Sequence, residues 1–264
     1  MREMRTVLVA YSGGVDSAFL ALIATQELGD RAVCVLGLSP SVSEHQRSEA
    51  ITIANSFEFN LQTTETSELL DPNYAANPSN RCYFCKTELY GKLSQIAKQK
   101  GIEYILDGTN ADDLSDHRPG RTAASENGVR SPLAEIGFSK DEIRRQSRGH
   151  RLPTWDKPAS PCLSSRIAYG VPVTIERLEK VERGEEYLRS IGLREFRVRV
   201  HGDLARIEVA RSELSKVLDL DSADRLSREF REIGFRYVTL DLEGFRSGGM
   251  NGAAAHIKYN KTQD

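Results

Sequence analysis

The sequence predicts an α/β protein, a parallel sheet with helices on both faces, followed by a small C-terminal α+β domain. Through residues 6–106, apolar runs of strand length alternate with helical patterns, the order that crossover-connected parallel strands require. The first run, Thr6-Val7-Leu8-Val9-Ala10-Tyr11, leads directly into a glycine turn that opens a helix. Composition then changes at Tyr169-Gly170-Val171-Pro172, which places a boundary there. Residues 1–168 are expected to form the first domain, 169–251 the second, and 252–264, polar or small, a flexible tail. A chain of 264 residues with 39% hydrophobic content can supply both cores.

Each element follows from its own pattern. After the glycine turn, Val15, Ala18, Phe19, Leu22 and Ile23 recur at helical spacing, and Gly29 is placed to end that helix. Residues 32–38 read as a buried strand with Cys34 as core filler. A polar helix over 43–56 leads to a short strand over 57–63, and a helix over 83–100 leads to a strand at 104–106. Residues 107–130, rich in Gly, Asn, Asp and Arg, predict a long loop with at most one short helix, the kind of segment that commonly carries function. Ser139-Lys140-Asp141-Glu142 is a capping box whose helix closes before Pro153. In the second domain a helix over 175–191 stops at Gly192. Strands 196–200 and 205–209 form a hairpin around His201-Gly202-Asp203, and a helical region over 212–233 precedes a last strand at 235–242.

Acidic residues number 38 and basic residues 36, so the net charge of −2 argues against whole-chain capture of nucleic acid or a membrane surface. No stretch has the apolar length of a membrane span and the N-terminus enters a charged strand, so a cytoplasmic protein is expected. Four cysteines are too few and too unevenly spaced for a disulfide scaffold. The five histidines are scattered, without the helical spacing of a zinc hydrolase.

The turn Ser12-Gly13-Gly14-Val15-Asp16-Ser17 sits where a strand becomes a helix, a place suited to polyphosphate. The glycines admit close backbone approach, Ser12 and Ser17 offer hydroxyls, and the helix start offers unpaired N–H groups. No Walker lysine follows, so this is not the P-loop of a kinase or GTPase. Asp16 suits Mg²⁺ beside phosphate, or a simple helix cap. Asp107, Gly108, Thr109 and Asp112 follow a strand end and suit nucleotide or Mg²⁺, or ordinary turn chemistry. Arg118, Arg130 and Arg166 lie in loops, where their guanidinium groups suit phosphate or carboxylate, or bulk water. Arg197 and Arg199 alternate along one strand and so share a face. Cys82 and Cys85 flank one helix start, where the dipole favours thiolates, and Cys162 lies far along the chain. Three cysteines are an incomplete zinc set and a sufficient 4Fe–4S set with one iron open; a redox pair and incidental thiols remain alternatives.

The glycine turn resembles the PP-loop of ATP pyrophosphatases, which split ATP between the α and β phosphates. It is followed in order by Asp107-Gly108-Thr109-Asn110-Ala111-Asp112-Asp113, Asp116-His117-Arg118-Pro119-Gly120, Arg130-Ser131-Pro132-Leu133 and Pro161-Cys162-Leu163-Ser164-Ser165-Arg166. Together these resemble the LarE family of ATP-dependent sulfur transferases, and the resemblance runs from Thr6 to Asn251. It implies sulfur insertion into pyridinium-3,5-biscarboxylic acid mononucleotide, a precursor of the nickel-pincer nucleotide of lactate racemase. ATP with Mg²⁺ would be held by Ser12, Gly13, Gly14, Asp16 and Ser17 with Gly108, Thr109 and Arg130, the metal near Asp16 and Asp112. Cys162, Glu186, Arg197 and Arg199 would serve the sulfur-transfer centre, the arginines receiving the substrate's phosphate.

Some family members sacrifice a single cysteine, at the position of Cys162, and keep dehydroalanine. The extra Cys82 and Cys85 match the branch whose three cysteines hold a 4Fe–4S cluster. The resemblance also implies a sulfur donor, either sulfide or a cysteine desulfurase, and a homo-oligomer to which residues 235–242 could lend an interface strand. Competing functions are a PP-loop tRNA thiolase, an amide-forming pyrophosphatase and a non-catalytic nucleotide sensor with structural zinc.

Overall fold

The computed structural model describes residues 1–115 and 119–246; Asp116, His117, Arg118 and the expected tail over 252–264 lie outside the described residues. The chain forms two compact units. The first comprises Met1–Ala75 and Ser79–Cys162; the second takes Ala76–Pro78 and everything described from Leu163 onward.

In the first unit, strands β1 (Val7–Tyr11), β2 (Ala32–Leu38), β3 (Asn60–Glu65) and β4 (Tyr104–Leu106) pair in the order β3-β2-β1-β4, all parallel. Helices α1 (Val15–Leu28), α2 (Glu44–Ser56), α3 (Pro72–Ala75), α4 (Arg81–Lys100), α5 (Pro119–Glu126), α6 (Pro132–Glu135) and α7 (Lys140–Gly149) complete it. Because strand side chains alternate, Val7, Val9 and Tyr11 pack with residues of α1, α2 and α7 in one core, while Leu8, Val33 and Val35 pack with α4 and α5 in the other. Helices therefore cover both faces, as expected. Cys34 is fully buried in the first of these cores. The chain runs outward from β1 through β2 to β3, then returns to place β4 on the far side of β1. The carboxyl ends of β1 and β4 thus form the switch point of the sheet, where open α/β folds bind ligands.

Some elements differ from expectation. The strand expected over 57–63 begins at Asn60, because Phe57 and Glu58 finish α2: Phe57 N–H bonds the Ile53 carbonyl and Glu58 turns left-handed at φ 54°. Residues 107–130 hold a 3₁₀ turn (Asp112–Ser115) and the eight-residue α5, whose Ala123 and Ala124 are buried against α4. Two alanines give too little apolar signal for a periodic reading. The single turn α6 starts on Pro132 at its first position. The capping box at Ser139 and Glu142 is present in both directions.

The second unit contains a 3₁₀ turn (Leu163–Arg166), α8 (Ile175–Ser190), β5 (Phe196–His201), β6 (Leu204–Val209), α9 (Leu220–Ile233) and β7 (Tyr237–Leu240). The expected hairpin is formed by β5 and β6, with Arg197 opposite Glu208, and β7 adds parallel to β6. The helical region over 212–233 is broken into a 3₁₀ turn and α9, because Asp219 caps the new helix by accepting the Ser222 N–H at 2.9 Å. Gly184 of α8 lets the Phe230 ring approach to where a Cβ would lie 3.0 Å from it. Asn77, fully buried, donates its side-chain amide to the carbonyls of Ile167, Ala168 and Val171 at 3.3, 2.8 and 2.9 Å, which explains why Ala76–Pro78 belongs to this unit. No helix among the described residues is long and apolar enough to cross a membrane.

Candidate functional site

The glycine turn leaves β1 at its carboxyl end. Gly13 has φ +70°, and a Cβ there would lie 2.5 Å from the Cβ of Ala50 on α2, so only glycine fits both the backbone and the space. Gly14 is the N-cap of α1 and makes no side-chain cap, which leaves the first N–H groups of the helix without that customary partner. Ser17 Oγ ties the turn together: it accepts the Ser12 N–H at 3.2 Å, lies 3.0 Å from Ser12 Oγ and donates to the Gly14 carbonyl at 3.2 Å. Both serines, both glycines and Asp16 thus belong to one anion-sized turn.

The segment after β4 closes on this turn. A Cβ on Gly108 would lie 2.8 Å from the backbone nitrogen of Ser17, so the two loops touch through backbone. Asp107 builds the loop: its carboxylate accepts from Tyr90 Oη (3.0 Å), Thr109 N (3.1 Å), Thr109 Oγ1 (3.0 Å) and Ser131 Oγ (2.7 Å). Burial, with Asp107 second, raises the Tyr90 hydroxyl above its usual range and keeps it a donor. Lys140 occupies the ground between the two carboxylates expected at Mg²⁺. Its Nζ lies 2.5 Å from Asp16 Oδ2, and its backbone N–H donates to Asp112 Oδ2 at 2.8 Å. A second cation, Lys157, donates to the Gly13 carbonyl at 3.2 Å and pairs with Glu49 at 2.6 Å. Sequence reasoning missed both lysines. Arg130 is directed elsewhere: it pairs with Glu135 through Nη2 at 2.5 Å, lies over the Tyr104 ring at 5.6 Å, and is 42% exposed.

The three thiols belong to the first unit. Cys82 is exposed on the first turn of α4, while Cys85 and Cys162 are half-buried. The Cys85 thiol is pushed up to about 12, first by burial and then by the charges of Glu68 and Cys162, with Cys82 adding a smaller effect. Burial at Cys85 therefore works against the thiolate that the helix start favours. Glu68 is itself 1% exposed; its Oε1 accepts from Ser39 Oγ, and its Oε2 has no hydrogen-bond partner among the described residues. Cys162 and Cys82 both act on the Cys85 thiol, but no three His, Cys, Asp or Glu side chains among the described residues are gathered to hold a metal ion. The donor type fits a three-thiolate cluster, whereas the arrangement is not drawn together around one.

In the second unit, Arg166 is 3% exposed and grips Glu185 bidentately, Nε to Oε1 at 2.8 Å and Nη2 to Oε2 at 3.0 Å. Arg199 bonds Glu208 Oε2 at 3.1 and 3.0 Å and donates to the Ser165 carbonyl at 2.9 Å. Arg197 lies over the Phe245 ring at 4.7 Å, and burial, then Arg166, lowers its guanidinium to about 10, still cationic at neutral pH. Arg197 and Arg199 therefore share a face, as their alternation predicts. Glu186 does not join them. It is exposed, and Glu185, one position earlier and about 100° around α8, is the carboxylate turned toward the arginines.

A parallel sheet that presents a glycine turn at its switch point defines a nucleotide-binding α/β enzyme, and the NAD synthase family model matches residues 1–80. Over 249 residues the chain is 47% identical to an uncharacterised protein of Synechocystis, covering 94% of this chain and 93% of that one. It is 38% identical over 252 residues to the pyridinium-3,5-bisthiocarboxylic acid mononucleotide synthase of Lactiplantibacillus plantarum, covering 95% and 91%. An uncharacterised protein of Methanocaldococcus jannaschii is 30% identical over 243 residues, 92% of each chain. The chain belongs to the LarE family of PP-loop ATP-dependent enzymes.

Proposed function

We propose that this enzyme adenylates a carboxylate of pyridinium-3,5-biscarboxylic acid mononucleotide and exchanges the activated oxygen for sulfur. The reading rests above all on the turn over residues 12–17, with two lysines beside it, in the same compact unit as Cys82, Cys85 and Cys162, the first and last of which act on the Cys85 thiol. The substrate carboxylate attacks the α-phosphate of ATP, pyrophosphate leaves, and the acyl-adenylate then loses AMP to a sulfur nucleophile, leaving a thiocarboxylate. Ser12, Gly13, Gly14 and Ser17 seat the phosphates, Gly108 and Thr109 border the nucleotide, and Arg130 turns toward it once released from Glu135. Asp16 and Asp112, both tied to Lys140, would hold Mg²⁺, which would offset the charge of the phosphates. Arg197 and Arg199 receive the phosphate of the mononucleotide, and burial with Arg166 close by makes an added anion welcome at Arg197.

For the sulfur we propose Cys82, Cys85 and Cys162 as ligands of a 4Fe–4S cluster in a cytoplasmic enzyme, recharged by sulfide or a cysteine desulfurase. Such a cluster, with one iron open, supplies a transferable sulfide. The alternative is direct surrender of the Cys162 sulfur. The near-neutral chain, at −2, lends little support to a tRNA substrate. A homo-oligomeric assembly is part of the same proposal.

The test is anaerobic incubation of reconstituted protein with ATP, Mg²⁺, sulfide and the mononucleotide, followed by mass spectrometry. Thiocarboxylate, AMP and pyrophosphate are expected, with roughly four irons per chain and charge-transfer absorption. Pyrophosphate without thiocarboxylate would reject sulfur transfer. A protein lighter by about 34 Da at Cys162, the mass of H₂S, would assign the sulfur to that side chain instead.

A further inference from the structure

Lys157 touches both elements that shape the nucleotide turn. Its ammonium lies 2.6 Å from Oε2 of Glu49 on α2 and donates to the Gly13 carbonyl at 3.2 Å. The stretch that carries it is fastened from behind. Arg144 of α7 donates to the carbonyls of Trp155 and of Lys157 itself, each at 2.7 Å, and Arg148 lies over the Trp155 ring at 4.9 Å. Further along, Gln46 near the start of α2 donates to the carbonyl and hydroxyl of Ser160 at 2.9 and 2.7 Å, two residues before Cys162. All of these residues lie in the first unit.

A trans peptide sends its carbonyl and its following N–H to opposite sides. With the Gly13 carbonyl held on Lys157, the Gly14 N–H is directed away from the ammonium. Gly13, lacking a Cβ and already at φ +70°, puts no side chain in the way of either orientation of that peptide. A charge-assisted hydrogen bond of this kind is about twice as strong as a neutral one. The same side chain stands five residues before Cys162 on a stretch whose other ties lead to α2 and α7.

We propose that Lys157 is a positioning residue that joins the nucleotide turn to the stretch carrying Cys162. It sets the Gly13–Gly14 peptide for phosphate, and a nucleotide that draws on the ammonium shifts the 157–162 stretch with it. The proposal rests on the nucleotide site described above.

The experiment uses the full chain and α,β-methylene-ATP with Mg²⁺, comparing wild type with Lys157→Met, Lys157→Arg and the double variant Glu49→Gln/Lys157→Met, which leaves no unpaired carboxylate. Calorimetry is expected to show roughly a tenfold or greater loss of affinity in both methionine variants and recovery of most of it in the arginine variant. Melting temperatures should stay within about 4 °C of wild type, as for a change worth no more than about 1 kcal/mol to folding. Saturating analogue should change the rate of Cys162 alkylation by iodoacetamide, mapped by peptide mass, in wild type and not in Lys157→Met. Wild-type affinity in Lys157→Met, an arginine variant as weak as the methionine one, or the same effect of analogue on Cys162 with and without the lysine would overturn the inference. A wild type that binds no analogue would instead overturn the nucleotide site itself, and the inference with it.

Discussion

Gly13 shows how much chemistry a single position can constrain. Its φ of +70° and the 2.5 Å separation between a would-be Cβ and that of Ala50 set two independent penalties against any side chain. Gly13→Ala is expected to weaken ATP binding at least tenfold and to cost about 1–3 kcal/mol of stability, read by calorimetry and urea denaturation. Wild-type affinity in that variant would remove the turn from the phosphate site. The glycines and serines of the turn were legible because their requirements are local. Lys140 and Lys157 were not, since they reach Asp16 and Gly13 from 124 and 144 residues away. No local pattern distinguishes these lysines from the solvated ones around them.

Helix α8 decides between two adjacent glutamates by its period alone. Glu185 forms the buried bidentate pair with Arg166 and also accepts the Val198 N–H at 3.3 Å, whereas Glu186 faces water. Glu185→Ala should destabilise the second unit by about 3–5 kcal/mol, because it removes the bidentate carboxylate from a buried guanidinium. Glu186→Ala should stay within about 0.5 kcal/mol. Urea denaturation of the two variants checks the contrast, and equal effects would refute the placement of Glu185. Most elements could be read from the sequence: β2 follows its continuous apolar run, the hairpin follows alternation, and α7 follows its capping box. What failed were elements whose cause is tertiary. Helix α5 is held by two alanines pressed on α4, and the start of β3 is delayed by the left-handed Glu58 that ends α2.

At the scale of the molecule, buried acids that stay neutral set an alkaline limit. Cys34 is raised by burial from 9.0 to about 12. Below about pH 9 this thiol is protonated whether the chain is folded or not. Above it the unfolded chain loses a proton that the folded one keeps, so stability falls progressively between about pH 9 and pH 12. Tyr11 and Tyr90, raised chiefly by burial, act in the same direction. Denaturation midpoints measured at pH 8 and 10.5 should differ accordingly, and Cys34→Ala should flatten the slope; a midpoint that does not move would show that these groups are not buried as described. The mixed architecture and the parallel sheet could be foreseen at this scale. The membership of Ala76–Pro78 in the second unit could not, because three residues carry no compositional mark.

Those three residues also limit how such a gene can be rearranged. Asn77 supplies amide protons to backbone that is translated about ninety residues later, at Ile167, Ala168 and Val171. A recombination event that exchanged only the downstream cassette would separate the two halves of that bond set, so inheritance of the second unit requires a short upstream insert to travel with it.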